Sequence, residues 1–151
     1  MIKIICVGKI KESYLKDAID EYTKRLSKYT KIEIIEVKDS KIEDKIVALR
    51  EEEQELLKVI NKEDYLISLA IEGKEQDSIS FSEKIRLKSM DNKNISFIIG
   101  GSYGIPQSIK DISNELLSFS RLTFPHQLFR VLLLEQIYRA YRIINNETYH
   151  K

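Results

Sequence analysis

Hydrophobic residues along the chain form two alternating kinds of segment, and each kind predicts one type of secondary structure. Short runs rich in isoleucine and valine, such as residues 2–7, are typical of strands. Longer segments with apolar residues three and four positions apart, such as residues 12–28, are typical of amphipathic helices. The predicted strands are 2–7, 32–37, 65–71, 95–99 and 117–120, and the predicted helices are 12–28, 42–60, one from Ser80, one from Pro106 and 126–145.

Turn residues suggest where several of these elements begin and end. Gly73 is expected to stop the third strand. Ser80 and Glu83 form a capping-box pattern, which predicts that the third helix starts there. Pro106 fits the first turn of the fourth helix, because its missing amide hydrogen is not needed at that position.

The order of the elements predicts the fold class. The strands are mainly apolar and are separated by helices, which favours a mainly parallel five-stranded sheet with helices on both faces. No repeat, low-complexity segment or linker interrupts the pattern. We therefore expect a single α/β domain spanning residues 1–151.

Composition and charge exclude several classes of function. The chain has 25 lysine and arginine residues against 24 aspartate and glutamate residues, so any RNA binding must rely on a local basic patch. Cys6 is the only cysteine, which excludes an intrachain disulfide or a multi-cysteine zinc site, and its apolar surroundings predict a buried thiol. No apolar run approaches the roughly 18 residues that span a bilayer. We expect a cytoplasmic protein without a metal or a membrane partner.

Two loops are candidates for ligand binding. Gly100, Gly101 and Gly104 follow a strand and precede a helix, but their spacing matches neither a dinucleotide fingerprint nor a P-loop. Spacing alone leaves a ligand-binding loop and an ordinary strand-to-helix turn equally open. Residues 119–127, which include His126, form the second loop. Because ligands bind at the carboxyl ends of parallel strands, the two loops could meet at one pocket.

The last helix carries more apolar residues than one helical face can hold. This excess suggests a homodimer, and simple packing into the core is the alternative. Positive and aromatic residues on the same helix and just after it could hold phosphates and stack a base. Ordinary solvated arginines would give the same pattern. The residues concerned are Arg130, Arg139, Arg142, Tyr138, Tyr141, Tyr149 and His150. Residues 51–55 are expected to form a solvated, charged helix face.

Six segments together resemble one known family over nearly the whole chain. The matching segments are Lys3–Glu12, Tyr22–Leu26, Ile98–Gly104, Ser118–Ser120 with Thr123–Gln127, Glu135–Ala140 and Tyr149–Lys151. In order and spacing they resemble the bacterial ribosomal RNA large-subunit methyltransferase H family of the SPOUT superfamily. The chain departs from the family at Ala70, where an acidic residue is common, and in a shorter segment after the second strand.

The resemblance implies a fold, a cofactor and partners. Such proteins thread a C-terminal trefoil knot through a parallel sheet, an exception to the rule that chains avoid knots. They are homodimers that bind S-adenosylmethionine in the knot and methylate N3 of a pseudouridine in 23S ribosomal RNA on the assembled ribosome. The cofactor residues that the resemblance implies here are Leu69, Gly100, Phe119, Ser120, Arg121, Leu122, Thr123 and Phe124.

The resemblance also suggests where the acceptor base lies. We expect His126, Arg130, Tyr149 and His150 near it, with no one of them singled out as general base. In a dimer, the tail of one subunit could lie beside the cofactor of the other. Two alternatives stay open: a SPOUT methyltransferase with another RNA target, and a non-catalytic RNA-binding or ribosome-assembly module.

Overall fold

The structure is a computed structural model that describes residues 1–151, and it contains five strands and five α-helices. The strands are β1 (Ile2–Val7), β2 (Ile32–Val37), β3 (Tyr65–Glu75), β4 (Ile95–Ile99) and β5 (Glu115–Ser118). The helices are α1 (Ser13–Leu26), α2 (Lys45–Val59), α3 (Ser78–Met90), α4 (Gln107–Ile112) and α5 (His126–Ile144). No helix is long and apolar enough to cross a membrane.

All five strands belong to one sheet, whose order is β2-β1-β4-β3-β5 and whose pairs are all parallel. β4 therefore lies in the middle, between β1 and β3, although it is fourth in the chain. This arrangement confirms the predicted fold class. The trefoil knot that the resemblance implies stays a prediction.

Helices cover both faces of the sheet. Successive residues of β1 show why, since Ile4 and Cys6 face one buried cluster while Ile5 and Val7 face the other. The larger cluster packs under α1, α3 and α5, and the smaller one under α2 and α4. Cys6 is a buried core thiol, as expected, and burial raises its pKa to about 12.

Three local predictions were wrong. β3 does not stop at Gly73 but continues to Glu75 through an irregularity in its pairing with β5. The third helix begins at Ser78, because the side chain of Asp77 accepts the amide hydrogen bond of Ser80 and acts as the cap. Glu83 does not complete a capping box and instead pairs with Arg86.

The charged face of α2 is also not wholly solvated. Ala48, Glu52 and Leu56 recur every four residues and form its buried stripe, so a glutamate lies in the middle of the packed face. Ile46, on the same helix, is exposed. The helix therefore lies where the sequence predicts it, but the expectation of a wholly solvated face at residues 51–55 was wrong at Glu52.

A polar cluster fixes the amino ends of the three central strands. The carboxylate of Asp64, just before β3, accepts hydrogen bonds from Lys3 Nζ on β1 and from Ser96 Oγ on β4, both at 2.8 Å. Asp64 and Ser96 are buried. The buried charge has a partner of opposite sign and a second hydrogen bond, which is the condition under which burial of a carboxylate is tolerated.

Candidate functional site

A cavity of about 310 Å³, hereafter the main cavity because it contains the expected cofactor residues, lies at the carboxyl ends of β3, β4 and β5. Seven of the eight residues that the resemblance implies for cofactor binding line it, and the eighth, Arg121, is exposed beside it. The seven are Leu69, Gly100, Phe119, Ser120, Leu122, Thr123 and Phe124. A pocket at the carboxyl ends of parallel strands is the usual place for a ligand in such folds.

A bulge in β3 forms one wall of this cavity. Leu69 and Lys74 both align with Leu117 of β5, so residues 70–73 project out of the ladder. Gly73 is needed at the bulge, because a Cβ atom there would lie 2.6 Å from the backbone carbon of Leu116. Ala70, Ile71 and Glu72 consequently line the cavity, so the departure at Ala70 falls on the pocket rather than away from it.

The glycine loop after β4 folds back on itself. A Cβ atom on Gly100 would lie 2.5 Å from the carbonyl oxygen of Gly104 and 2.7 Å from the amide nitrogen of Ile105. Gly104 has φ +82°, and its amide donates to the carbonyl of Gly101 at 3.0 Å. Gly100 is thus required by the loop's own close packing as well as by its place on the cavity wall.

The second loop closes the cavity from the α5 side. Ser120 stabilises the turn of this loop through two hydrogen bonds. Its carbonyl oxygen accepts one from Ser118 Oγ at 3.1 Å, and its Oγ accepts one from the amide of Leu122 at 3.0 Å. The rings of Phe119 and Phe124 pack against Phe129, with centroids 4.9 and 5.9 Å away. This side of the cavity therefore has apolar, aromatic walls.

His126, at the start of α5, also lines the cavity. Burial lowers its pKa, and the nearby charge of Arg130 lowers it further. The imidazole is therefore mainly neutral near pH 7, which is the form that can accept a proton.

Arg130 is placed differently from the other three residues expected near the acceptor base. Its guanidinium is buried and donates to Glu36 Oε2 at 2.7 Å and to the carbonyl oxygens of Gly8 at 2.7 Å and Val7 at 3.3 Å. It joins α5 to the ends of β1 and β2. In this geometry the guanidinium is paired within the chain, and it is not exposed for contact with a phosphate.

The tail after α5 packs against the same helix through two arginines. Arg139 lies over the ring of Tyr149 at 4.8 Å and contacts Nδ1 of His150 at 3.2 Å, while Arg142 donates to the carbonyl of Thr148 at 2.9 Å. Tyr149 donates to Glu135 at 3.1 Å. His126 lines the main cavity, whereas His150 lines a second cavity that shares Leu117, Ser118 and Phe119 with it.

Two residues at the glycine loop, Glu52 and Tyr103, were not predicted as part of the site from the sequence. Glu52 Oε2 accepts the amide hydrogen bond of Ser40 at 2.9 Å, whereas Oε1 is buried without a partner, 3.5 Å from where a Cβ atom of Gly101 would be. Burial raises the pKa of Glu52, and Asp39 and Glu51 raise it further. Tyr103, on the cavity wall, donates to the carbonyl of Glu43 at 2.9 Å. Only the four-residue spacing from Ala48 to Leu56 hinted that Glu52 faces inward.

Metal binding has no candidate site in this arrangement. No group of three histidine, cysteine, aspartate or glutamate side chains lies close enough to hold an ion.

Comparison with known proteins gives one consistent result. The family model described as "Predicted SPOUT methyltransferase" matches residues 1–150. Ribosomal RNA large subunit methyltransferase H of Clostridium botulinum (strain Hall) is 52% identical over 158 residues, covering 99% of both chains. A Methanococcus maripaludis (strain C5) protein, named "Putative ribosomal RNA large subunit methyltransferase H", is 53% identical over 157 residues, and the match covers 99% of both chains.

Among solved structures, a methylase family protein from Haemophilus influenzae Rd KW20 matches with a TM-score of 0.59 at 12% identity. The match covers 99% of this chain and 70% of that one, and it supports the fold alone. The full-length relatives carry the stronger conclusion. The chain belongs to the ribosomal RNA large-subunit methyltransferase H family of SPOUT methyltransferases.

Proposed function

We propose that this protein uses S-adenosylmethionine to methylate N3 of a pseudouridine in 23S ribosomal RNA, acting as a homodimer on the assembled ribosome. Its full-length relatives are named as ribosomal RNA large-subunit methyltransferases. The observation that carries the proposal is the main cavity, which collects seven residues implied for the cofactor at the carboxyl ends of three adjacent strands.

The lining of the main cavity suits a cofactor that is cationic at sulfur and has no phosphates. Its walls are mostly apolar side chains and loop backbone. Lys110 is on the lining, but its ammonium is paired with Glu72. That pairing holds the pKa of Glu72 below its ordinary value, so the cavity has an ionised carboxylate at its wall. When bound, S-adenosylmethionine supplies the methyl group that the acceptor nitrogen takes.

The chain's own residues would contribute orientation and proton removal. The bulge at residues 70–73 and the loop at 119–124 would fix the direction from which an acceptor can approach. The imide proton of N3 has to leave, and His126 and His150 are the two histidines beside the cavities. If His126 accepts this proton, the rate should fall on the acid side only below pH 6.5, because burial lowers the pKa of His126. His126→Gln should abolish this acid-side fall in the pH–rate profile.

Filling the cavity tests cofactor binding directly. Ala70 is only partly buried on the cavity wall, so Ala70→Trp should occupy the cavity while leaving the fold intact. We expect a loss of affinity for S-adenosylmethionine of about 100-fold or more, measured by calorimetry, with an unchanged melting temperature. Ala70→Ser is the matched control and should bind normally. Unchanged affinity of Ala70→Trp would remove this cavity as the cofactor site.

The acceptor is tested by mass spectrometry of ribosomal RNA from cells with and without the gene. Loss of one methyl group from a 23S pseudouridine supports the proposal. Loss at a different nucleotide identifies a SPOUT enzyme with another RNA target. If wild-type protein has no affinity for S-adenosylmethionine and no methyl group is lost, the non-catalytic RNA-binding or assembly module is the correct reading.

The homodimer is proposed from the apolar surface that α5 retains. α5 packs between α1 and α3, which buries much of its excess, but Leu128 is exposed and Val131 and Leu132 are half-buried. Light scattering should give twice the 17.7 kDa chain mass. A strictly monomeric species at micromolar concentration would contradict the dimer.

A mixing experiment asks which subunit supplies the tail. One partner carries Ala70→Trp with an intact tail, and the other lacks Tyr149–Lys151 but has an intact cavity. If the tail completes the site of the other subunit, mixed dimers recover activity that neither parent has. If the tail serves its own chain, the mixture stays inactive, because every intact cavity lacks its tail.

A further inference from the structure

A second cavity, of about 460 Å³, adjoins the main one. Leu117, Ser118 and Phe119 line both, so the end of β5 is the partition between them. The rest of the second lining comes from the start of α3, from α5 and from the tail: Gln76, Asp77, Ser78, Ile79, Phe81, Gln136 and His150. A molecule in this space would lie next to a ligand in the main cavity. Only His150 comes from the tail, so the cavity is largely built whichever subunit supplies that residue.

The charges on the lining favour a neutral occupant over a phosphate group. No lysine or arginine lines the cavity. Asp77 is its one carboxylate, and hydrogen bonds from Ser80 hold the pKa of Asp77 below its ordinary value, so it is ionised at neutral pH. An anion would meet this negative charge, which offsets the attraction of the α3 amino terminus.

Phe119 gives the second cavity a flat apolar wall. Its ring is held by Phe81 in an edge-on contact at 6.4 Å and by Phe129 at 4.9 Å. Both Phe119 and Phe81 line the second cavity, whereas Phe129 lines the main one. Aromatic walls of this kind stack on planar heterocycles.

Gln136 supplies directional polar groups beside that wall. Its Oε1 accepts from Ser78 Oγ at 2.8 Å, which joins α5 to α3, and its Nε2 donates to Glu135 at 2.9 Å. An amide has two donor hydrogens and two acceptor lone pairs, so each end of the Gln136 amide keeps one free site. One donor next to one acceptor complements the C2 carbonyl and the N1–H of a pseudouridine ring, and this pairing leaves N3 free to take the methyl group.

We propose that the second cavity is the subsite for the acceptor base, and that it selects a uracil-type ring through stacking on Phe119 and hydrogen bonding to Gln136. The inference rests on the proposed methyl transfer, since the partition at Leu117–Phe119 is what places such a ring beside the methyl donor. Ser78 positions the amide and does not itself have to contact the ring.

Nuclear magnetic resonance titration of the protein saturated with S-adenosylmethionine tests the subsite. The probes are pseudouridine, cytidine and inorganic phosphate. Pseudouridine should shift the amide signals of residues 77–79, Phe119 and Gln136, and cytidine, which has no ring N–H, should bind several-fold more weakly. Equal binding of cytidine, binding of phosphate at these residues, or no shift with pseudouridine would each overturn the proposal.

A near-isosteric variant tests the same residue on ribosomes. Gln136→Met should lower kcat/KM for methylation about tenfold, because a polar group of the base is left without its partner. Its affinity for S-adenosylmethionine should be unchanged. Gln54→Met, the same change at an exposed position of α2, should behave as wild type. A wild-type rate for Gln136→Met, with cofactor binding intact, rejects the subsite alone, whereas absent cofactor binding in wild-type protein rejects the proposed function.

Discussion

At the amino ends of the strands, Asp64 is paired with Lys3 and Ser96, and all three are held in one hydrogen-bonded group. At the carboxyl ends, Glu52 Oε1 and Arg130 Nε are buried without partners, and the backbone is shaped by glycines and a bulge. The first end is built for stability alone, since its polar groups are fully used. The second keeps cavities and unsatisfied groups, which cost stability but leave room for a ligand.

The largest expected effect comes from breaking the amino-end cluster. Asp64→Ala leaves the Lys3 ammonium without a partner, and the Lys3 side chain is only 12% exposed. We expect the free energy of unfolding to fall by about 3–5 kcal/mol in urea titration. Affinity for S-adenosylmethionine should not change, because the cavities lie at the other end. Asp17→Ala, at an exposed position on α1, is the control and should have almost no effect.

A smaller loss is expected at the carboxyl end from Arg130→Ala. The Glu36 side chain that it leaves behind is 33% exposed, so water can solvate the freed carboxylate. We expect a loss of about 2 kcal/mol in unfolding free energy. The slope of ribosome affinity against salt concentration should stay as in wild type, because a buried guanidinium releases no counterions. A flatter slope for Arg130→Ala than for Arg139→Ala would show that Arg130 contacts RNA after all.

The smallest effect concerns Glu52, whose carboxylate has one buried oxygen without a partner. Its pKa is raised above the ordinary 4.5, so the folded state binds more protons than the unfolded chain as pH rises from that value. Its contribution to stability is therefore greatest at low pH and is lost as pH rises through the raised pKa. Thermal unfolding at pH 4 to 7 should show Glu52→Gln gaining on wild type as pH increases. A difference that is constant with pH would mean that the pKa of Glu52 is the same in the folded and unfolded states.

The sequence was sufficient for the elements whose signal is local. β1 and β4 were predicted at their observed bounds because each is a mainly apolar run closed by a glycine. The residues of the main cavity came from the resemblance, since their spacing alone could not tell a ligand loop from an ordinary turn.

The errors share a physical cause, which is that tertiary contacts override local patterns. Gly73 looked like a strand end, yet it lies in a bulge where a Cβ atom would meet the backbone of Leu116 on β5. Glu52 and Arg130 looked solvated, because charge predicts exposure unless a partner across the fold is known. Ser80 matched a capping preference, but Asp77 is the residue that caps the helix, because its side chain accepts the amide hydrogen bond of Ser80.

The order of the strands also has a consequence for how the chain folds during synthesis. β1 and β2 can pair once residue 37 is available, but β1 and β3 never touch each other, because β4 separates them. Until residues 95–99 have emerged, one edge of β1 and one edge of β3 both lack their partner. Open parallel edges of this kind form their contacts slowly and can pair with other chains. β4 is thus the segment whose arrival joins two separate halves into one sheet, and β5 can then complete the walls of both cavities.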